Sequence, residues 1–267
     1  MAIIIVMSRL LKSYCVGHTL PLFAPSVPFE MLCPTSLGIA NEVVIDDNRF
    51  GYAADGSSLA EYSQLFGLYD LLLSGEVVAD DLFLFQYRKF LSPTPGGGAE
   101  SVAPWIRVLT PVQAHATFPS LEQLDAFRSR LAVGSLFAFG ESLSSNYARV
   151  HVIDDFVLFA LACSDSGALT KAEIKAFVSI QGMLPSPALC FIQADLYVRV
   201  IRILKTVWEQ YGQNYQVVRN DYQRRVAGYL LERLHSFLFF NWLMDNSEPD
   251  ISIWQRYVVS DDPRAVD

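Results

Sequence analysis

A continuous apolar run, Leu82-Phe83-Leu84-Phe85, constrains the fold more than any other segment of the chain. It lies inside residues 81–90, whose pattern predicts a β-strand. Because no polar residue interrupts the run, both faces of this strand are expected to be covered. Strand and helix patterns alternate along the rest of the chain, which predicts an α/β sheet with helices on both sides.

Local signals predict where the other elements begin and end. The further strand candidates are residues 2–8, 13–16, 42–45, 106–109 and 190–193. The helix candidates are residues 59–74, 121–131, 151–163, 171–181, 195–211 and 220–243. Ser58 is expected to cap the first helix with Glu61 as its capping-box partner, and Gly75 is expected to end it. Turn-forming residues predict loops at 19–36, 46–58, 92–104 and 134–147.

The chain is predicted to form one domain over residues 1–247, followed by an irregular tail at 248–267. Its 267 residues are 52% hydrophobic and 18% charged, which is typical of a globular protein with a sizeable core. A net charge of −8 argues against broad nucleic-acid binding, because phosphates need a basic face. It does not exclude a small basic pocket for one diphosphate.

The four cysteines, Cys15, Cys33, Cys163 and Cys190, are widely spaced, and no pair has metal-ligand spacing. No secretory leader is apparent, so we expect reduced, buried thiols and a cytoplasmic protein. No stretch approaches the roughly 18 uninterrupted apolar residues of a membrane span. The apolar helix end at 237–243 favours core packing, while a peripheral contact with a membrane or an assembly complex stays open.

The helix predicted at 220–243 has two faces. At about 100° per residue its apolar side chains form one broad stripe. They are Val226, Leu230, Leu231, Leu234, Phe237 and Leu238. Gly228 lies on the other face, beside Arg225 and Glu232, and a glycine inside a helix costs roughly 0.5–1 kcal/mol relative to alanine. Either another backbone or a ligand approaches closely there, or the face is an ordinary solvated one.

Gln86, Tyr87, Arg88 and Lys89 terminate the most buried strand. Ligands of open α/β sheets bind beyond the carboxyl ends of strands, so these side chains are placed to meet a ligand. Two cations beside a tyrosine suit a phosphate or carboxylate group. A charge pair that simply meets solvent is the alternative. His18 follows another strand candidate and is a further candidate contact.

The acidic pairs Asp46-Asp47 and Asp154-Asp155 are candidates for holding Mg²⁺ or Mn²⁺ against a nucleotide diphosphate. The first pair follows a strand, but an Asp-Asp-Asn run is also typical of a turn. The second lies inside a helical pattern, where an exposed first-turn position is the alternative. The chain has no Gly-x-Gly-x-x-Gly motif, Walker loop or nucleophile elbow. Residue patterns alone indicate a soluble α/β domain with an anion site.

Five segments, in chain order, resemble a glycosyltransferase-like domain-of-unknown-function family from bacterial capsule and exopolysaccharide loci. They are residues 12–18, 50–56, 62–69, 85–90 and 220–234. The last segment carries the most specific motif. Its Gly-Tyr-Leu-Leu-Glu-Arg-Leu is close to the family's Gly-Phe-Leu-Ala-Glu-Arg-Leu. The Gln-Tyr-Arg-Lys run that begins at residue 86 is similar to the family's His-Tyr-Arg-Arg.

Departures from the family pattern affect groups that can carry protons. Gln64 stands in Tyr-Ser-Gln-Leu where the family has Tyr-Cys-Glu-Leu. Gln86 stands where the family has His, and Lys89 where it has Arg. An amide keeps hydrogen bonding but takes up no proton at neutral pH. The chain therefore resembles a diverged member, either with altered donor choice or without catalysis.

The resemblance implies a glycosyltransferase-A-like (Rossmann-like) mixed sheet flanked by helices, with a helical C-terminal part. It implies an enzyme of hexosyltransferase type. The reaction would transfer a sugar from a nucleotide-sugar donor to a saccharide acceptor in bacterial surface-polysaccharide biosynthesis. A non-catalytic sugar- or nucleotide-binding subunit of a polysaccharide-assembly complex is the alternative. Because no clear Asp-x-Asp motif is present, dependence on Mn²⁺ or Mg²⁺ stays open.

Within this interpretation the candidate site residues take different roles. Glu232, on the glycine-bearing helix, is the candidate catalytic base that activates the acceptor hydroxyl. The candidate substrate-binding residues are the diphosphate contacts Arg88, Lys89 and Arg225, the positioning or stacking residue Tyr87, and the hydroxyl-orienting residues His18, Gln64 and Gln86. The loop at 92–104 is expected to close over the site as a lid.

Overall fold

The structure of the protein is a computed structural model that describes residues 9–45, 50, 56–103, 106–215, 217, 219–244 and 250–262. The strands are β1 (Leu11–Val16), β2 (Glu30–Cys33), β3 (Glu42–Val44), β4 (Asp81–Gln86), β5 (Lys89–Ser92), β6 (Glu100–Ala103), β7 (Ile106–Leu109), β8 (Leu131–Gly134), β9 (Phe137–Ala138), β10 (Gly182–Met183), β11 (Cys190–Gln193) and β12 (Ile251–Val259). The helices are α1 (Gly56–Leu59), α2 (Tyr62–Ser74), α3 (Pro111–Thr117), α4 (Leu121–Ala126), α5 (Leu143–Ala148), α6 (Ile153–Asp165), α7 (Lys171–Ser179), α8 (Ala194–Asn214) and α9 (Val226–Met244), with a 3₁₀ helix at Asp221–Arg225 before α9.

The described part of the chain forms a large mixed sheet with the strand order β3-β2-β1-β4-β11-β8-β12-β7-β6. β3, β2, β1 and β4 run parallel to one another. β11 pairs antiparallel with β4. The mixed α/β sheet with flanking helices that the sequence predicts is therefore confirmed.

The β4–β5 hairpin closes part of the sheet into a ring of paired strands, which the sequence pattern does not predict. β5 pairs with β4 at its turn and with β12 along its length. β12 pairs with β8, and β8 pairs with β11. β4, β11, β8, β12 and β5 therefore form a ring of hydrogen-bonded strands. This ring differs from an open Rossmann-like sheet, because the chain turns back at Lys89 instead of extending one strand over 81–90.

The run from Leu82 to Phe85 is covered on both faces, as predicted. Leu82 and Leu84 belong to one core cluster, which includes residues of α2, α6, α8 and α9. Phe83 and Phe85 belong to a second cluster, rich in aromatic rings, which includes residues of α3 and α4. Helices thus cover the central strand from both sides. None of the described helices is both long enough and apolar enough to cross a bilayer.

The irregular tail predicted for residues 248–267 is wrong in its described part. β12 lies between β8 and β7 and runs parallel to both. Its Ile-Ser-Ile-Trp-Gln-Arg-Tyr-Val-Val sequence is rich in β-branched and aromatic residues, which suit a half-buried pleated surface. Trp254 and Tyr257 are buried there. β12 is an integral strand of the large sheet.

Two segments predicted as loops contain regular structure. β2 lies inside the proline-rich segment 19–36 and pairs with β1. The segment 134–147 contains β9 and α5. The strand predicted at 2–8 and the pair Asp46-Asp47 lie outside the described residues.

The helix predicted for residues 59–74 is broken at a corner. α1 ends at Leu59, Ala60 takes a left-handed φ of 51°, and α2 begins two residues later. Ser58 is therefore not the N-cap of the long helix. Glu61 holds that position, without a side-chain cap bond. A left-handed conformation costs an L-residue roughly 1–2 kcal/mol, so packing must hold this corner in place.

Candidate active site

A cavity of about 710 Å³ opens at the carboxyl ends of β1, β2 and β4. These strands are parallel, so their ends meet at one edge of the sheet. Gly17 and His18 follow β1, Pro34 follows β2, and Gln86 ends β4; all four line the cavity. Ligands of α/β sheets bind at this position. The volume is in the range of small-molecule sites.

All seven predicted substrate-binding residues line this cavity. They are His18, Gln64, Gln86, Tyr87, Arg88, Lys89 and Arg225. The lining also contains Glu61, Tyr222 and Arg224, which the sequence pattern did not mark as site residues. The cavity thus brings together side chains that are distant along the chain. They come from the strand ends, from the corner at Ala60 and from the 3₁₀ helix.

The turn between β4 and β5 carries an aromatic and a cationic side chain of the site. Neighbouring segments fix its backbone. The Leu22 N–H donates to the Tyr87 carbonyl oxygen at 2.8 Å, and the Val259 N–H donates to the Arg88 carbonyl oxygen at 2.8 Å. The guanidinium carbon of Arg88 lies 5.6 Å from the Tyr87 ring centroid, and the His18 ring centroid lies 5.5 Å from it. An exposed guanidinium on a fixed backbone suits an anionic ligand.

Contacts from two elements hold the corner that carries Glu61. Gly228 on α9 lies so close that a Cβ there would stand 3.2 Å from the Ala60 Cβ and 3.2 Å from the Leu59 carbonyl oxygen. The hydrogen-bonding pattern orients the buried Gln64 amide with its nitrogen facing the carbonyl oxygens of Ala60 (3.2 Å) and Glu61 (3.0 Å). Of the two interpretations of Gly228, the close approach of another backbone is confirmed.

The cavity perturbs the pKa values of Glu61 and Lys89. Burial raises the pKa of the Glu61 carboxyl above its usual value and the charge of Glu232 adds to the rise, while Lys89 and Arg225 oppose it. Burial lowers the pKa of Lys89, and the charges of Glu61 and Glu232 oppose that shift. Glu61 therefore lies within charge–charge range of one carboxylate, Glu232, and of two cations, Lys89 and Arg225.

Glu232 lies behind this group and is absent from the described lining of the cavity. Its Oε1 accepts a hydrogen bond from the Ser186 backbone N–H at 2.8 Å. Burial lowers the pKa of the guanidiniums of Arg233 and Arg256, and the charge of Glu232 opposes the shift in each. Glu232 therefore balances buried cations. It is Glu61, not Glu232, that shares the cavity wall with Arg88.

The described acidic pair Asp154-Asp155 does not form a metal site. Asp155 is fully buried and binds Arg219 through two bonds, Nη2 to Oδ1 at 3.0 Å and Nε to Oδ2 at 3.2 Å. No three His, Cys, Asp or Glu side chains gather as a metal-binding group in the part of the chain that the structure describes. Arg219 therefore occupies both carboxylate oxygens of Asp155 that this pair would offer to a cation.

The lid predicted at 92–104 is wrong for its described residues. None of the described residues between 92 and 103 lines the cavity. The Gly96 N–H donates to the Tyr257 hydroxyl at 2.6 Å, and that hydroxyl donates to the Thr94 carbonyl oxygen at 3.0 Å. These bonds hold the loop against β12.

Local sequence patterns do not mark Glu61 as a site residue. Its spacing from Ser58 suggested a capping box inside one continuous helix. The break at Ala60 turns Glu61 toward the cavity, and no glycine marks that left-handed residue. Arg224 had a clearer signal, because it directly precedes Arg225 in the motif segment.

Compared with known proteins, the chain matches no family model and no curated protein. Among solved structures it is similar to the apo structure of WbbM, a bifunctional glycosyltransferase, with a TM-score of 0.76 and 15% sequence identity. The fold is glycosyltransferase-like. The likeness covers 94% of this chain and 45% of the WbbM chain, so this chain spans less than half of that protein. At this identity the likeness describes the fold alone.

Proposed function

We propose that the protein is a glycosyltransferase that moves a sugar from a nucleotide-sugar donor to a saccharide acceptor, on a glycosyltransferase-A-like fold. The main support for this proposal is that four cationic side chains line one cavity at the carboxyl ends of parallel strands. They are Arg88, Lys89, Arg224 and Arg225. The likeness to a bifunctional glycosyltransferase supports it. The motif resemblance suggests bacterial surface-polysaccharide biosynthesis as the setting.

The cations meet the main electrostatic demand of sugar transfer. As the bond to the anomeric carbon breaks, negative charge accumulates on the departing diphosphate, and preplaced positive groups stabilise it. Arg88 and Arg225 are exposed at the cavity, where each guanidinium presents a planar fork of donors to phosphate oxygens. Lys89 is half-buried and adds a point charge to the same wall.

Other lining residues suit the sugar and its acceptor. His18 and Gln86 lie at the ends of two adjacent strands, where they are placed to hydrogen-bond hydroxyl groups. Tyr87 offers a ring for stacking. Glu232 stays a predicted base, although its bond from Ser186 and its place behind the lining favour a supporting role.

A non-catalytic nucleotide- or sugar-binding subunit is the second candidate function. Gln64 and Gln86 stand where the family pattern has Glu and His, and neither amide accepts a proton at neutral pH. The Gln64 amide nitrogen instead faces backbone carbonyl oxygens. Such a subunit would bind a nucleotide diphosphate in the same cavity without releasing a sugar.

Calorimetric titration with UDP and with GDP, in the presence and absence of Mn²⁺, tests the diphosphate site. We expect one of the two nucleotides to bind. Arg88→Ala and Arg225→Ala should each weaken binding about 10–100-fold, because a hydrogen bond to a charged group contributes about 1.5–3 kcal/mol. Arg202→Ala is the matched control, since Arg202 is exposed on α8 and does not line the cavity. Thermal unfolding of each variant verifies an unchanged fold.

Turnover separates the two candidate functions. A transferase releases UDP or GDP from a nucleotide sugar, whereas the binding subunit retains affinity and releases none. Binding that survives both arginine substitutions unchanged contradicts the proposed site. A protein that binds neither nucleotide contradicts both the transferase and the nucleotide-binding subunit.

A further inference from the structure

We propose that Glu61 is the catalytic base of the transfer reaction and takes the proton of the acceptor hydroxyl inside the cavity. The inference deepens the proposed glycosyltransferase function and rests on it. It moves the role of base from Glu232, where the sequence placed it, to a residue of the cavity wall.

Position favours Glu61 over the other candidates. Of the described lining residues, Glu61 alone carries a carboxylate. A general base has to lie within hydrogen-bond reach of the proton it removes. Glu232 lies behind the lining and already accepts the Ser186 N–H. His18 is the other proton acceptor of the described lining, and it is exposed beside the Tyr87 ring.

The backbone of Glu61 is held before any ligand binds. Ala60 precedes it in a left-handed conformation, Gly228 packs directly against Ala60, and the Gln64 amide nitrogen faces the Ala60 and Glu61 carbonyl oxygens. A base works best when neighbouring contacts fix its geometry in advance. The corner supplies these contacts from α2 and α9.

Charges from three elements surround the Glu61 carboxylate. Glu232 on α9 raises its proton affinity, whereas Lys89 on β5 and Arg225 at the end of the 3₁₀ helix lower it. Burial is the largest influence and raises the pKa. In its ionised form, a carboxylate with a raised pKa is a stronger base than an ordinary glutamate.

The proposed step is a single displacement. The acceptor oxygen forms a bond to the anomeric carbon while the bond from that carbon to the diphosphate oxygen breaks, and the electron pair leaves with the diphosphate. The acceptor proton passes to the Glu61 carboxylate and then to solvent. Arg88 and Arg225 stabilise the departing diphosphate. Because one displacement occurs, the anomeric configuration inverts.

Nucleotide release with water as acceptor measures this step without the natural acceptor. The donors are UDP-glucose, UDP-galactose, UDP-N-acetylglucosamine and GDP-mannose, and freed UDP or GDP is measured. Glu61→Gln should lower the release rate about 100-fold or more, since a positioned base contributes about 10²–10⁴-fold. Glu61→Asp should retain part of the rate. Glu209→Gln, exposed on α8, should leave it unchanged.

Calorimetry with UDP gives a second readout that needs no turnover. Glu61→Gln removes a negative charge beside the diphosphate site and keeps the shape of the side chain. UDP should therefore bind the variant as tightly as the wild type, or more tightly. A bound anion raises the pKa of a neighbouring carboxyl further. At a pH close to the raised pKa of Glu61, UDP binding should therefore be accompanied by proton uptake in the wild type and not in Glu61→Gln.

Distinct outcomes separate the inference from the proposed function. Undiminished release by Glu61→Gln, with loss confined to Glu232→Gln or to His18→Asn, overturns the role of Glu61 and leaves the glycosyltransferase proposal standing. If Glu61→Gln loses both UDP binding and nucleotide release, Glu61 helps to position the nucleotide and does not act as the base, which overturns the inference. A wild type that binds neither UDP nor GDP contradicts the proposed function itself.

Discussion

A Cβ at Gly228 would lie 3.2 Å from the Cβ of Ala60, so α9 and the corner before α2 meet without room for a side chain between them. The contact joins the C-terminal motif helix to the residue that directly precedes Glu61. It accounts for a glycine inside a helix, despite a cost of about 0.5–1 kcal/mol relative to alanine. The motif helix thereby positions a cavity residue from more than one hundred and fifty positions away along the chain.

Gly228→Ala should disturb the site more than the fold. The added methyl group improves helix propensity by about 1 kcal/mol, but overpacking of this kind costs about 1–3 kcal/mol. The free energy of unfolding should therefore fall by only about 1 kcal/mol. Displacement of Glu61 should slow nucleotide release about 10–100-fold. Urea denaturation and the release assay measure the two effects.

Ala60→Gly supplies the rescue for this variant. It removes the Cβ that the new methyl group would meet, and it places glycine at a φ of 51°. The double variant should recover part of the lost rate, because one of the two contacts at 3.2 Å is then removed and the one with the Leu59 carbonyl oxygen remains. If the double variant releases nucleotide as slowly as Gly228→Ala, the contact with Ala60 is not the cause.

Glu232→Ala should lower the free energy of unfolding by about 2–4 kcal/mol, because two buried guanidiniums lose a nearby carboxylate. They belong to Arg233 and Arg256, whose pKa shifts Glu232 opposes. Glu209→Ala is the exposed control and should change stability by less than about 0.5 kcal/mol. Urea denaturation measures both. An equally small effect of the two substitutions would remove the structural role assigned to Glu232.

Two histidines, the half-buried His151 and the buried His235, should make the protein less stable in mild acid. Burial and the charge of Arg233 lower the pKa of His151 to about 4, and burial lowers that of His235 to about 3. The unfolded chain binds these protons near pH 6.5, so stability falls as the pH drops from about 6.5 toward 4. In urea denaturation, the wild type should lose up to about 1.4 kcal/mol per pH unit more than His151→Gln. Parallel pH profiles of the two proteins would argue against a lowered pKa of His151.

Glu61, unlike the two histidines, should make the protein less stable as the pH rises. Burial and the charge of Glu232 raise its pKa, so the folded protein keeps this proton to a higher pH than the unfolded chain. The stabilisation is fully present below the unfolded pKa and is lost as the pH rises through the raised folded value. As the pH rises from about 4 through the raised folded value, the wild type should therefore lose stability relative to Glu61→Gln. A wild type that gains stability as the pH rises above about 4 would show a lowered pKa.

Local pattern was sufficient for the central strand and for much of the cavity wall. The apolar run from Leu82 to Phe85 has no polar residue, and the structure covers both of its faces. Residues that follow such a strand reach the carboxyl edge of the sheet, which is why Gln86, Tyr87 and Arg88 line the cavity.

Features that depend on distant contacts did not follow from local pattern. β12 is a strand because β8, β7 and β5 pair with it, whereas its sequence follows a long helix and resembles a tail. β2 forms despite flanking prolines because β1 and β3 pair with it. Glu61 reaches the cavity because packing forces Ala60 into a left-handed conformation.

A crystal structure of the protein with bound UDP or GDP would show where the nucleotide binds. We expect the diphosphate in the cavity at the ends of β1 and β4, within hydrogen-bond distance of Arg88 and Arg225. The end of the diphosphate that carries the sugar in the donor should face Glu61. A nucleotide bound elsewhere on the protein, with this cavity left empty, would contradict the account.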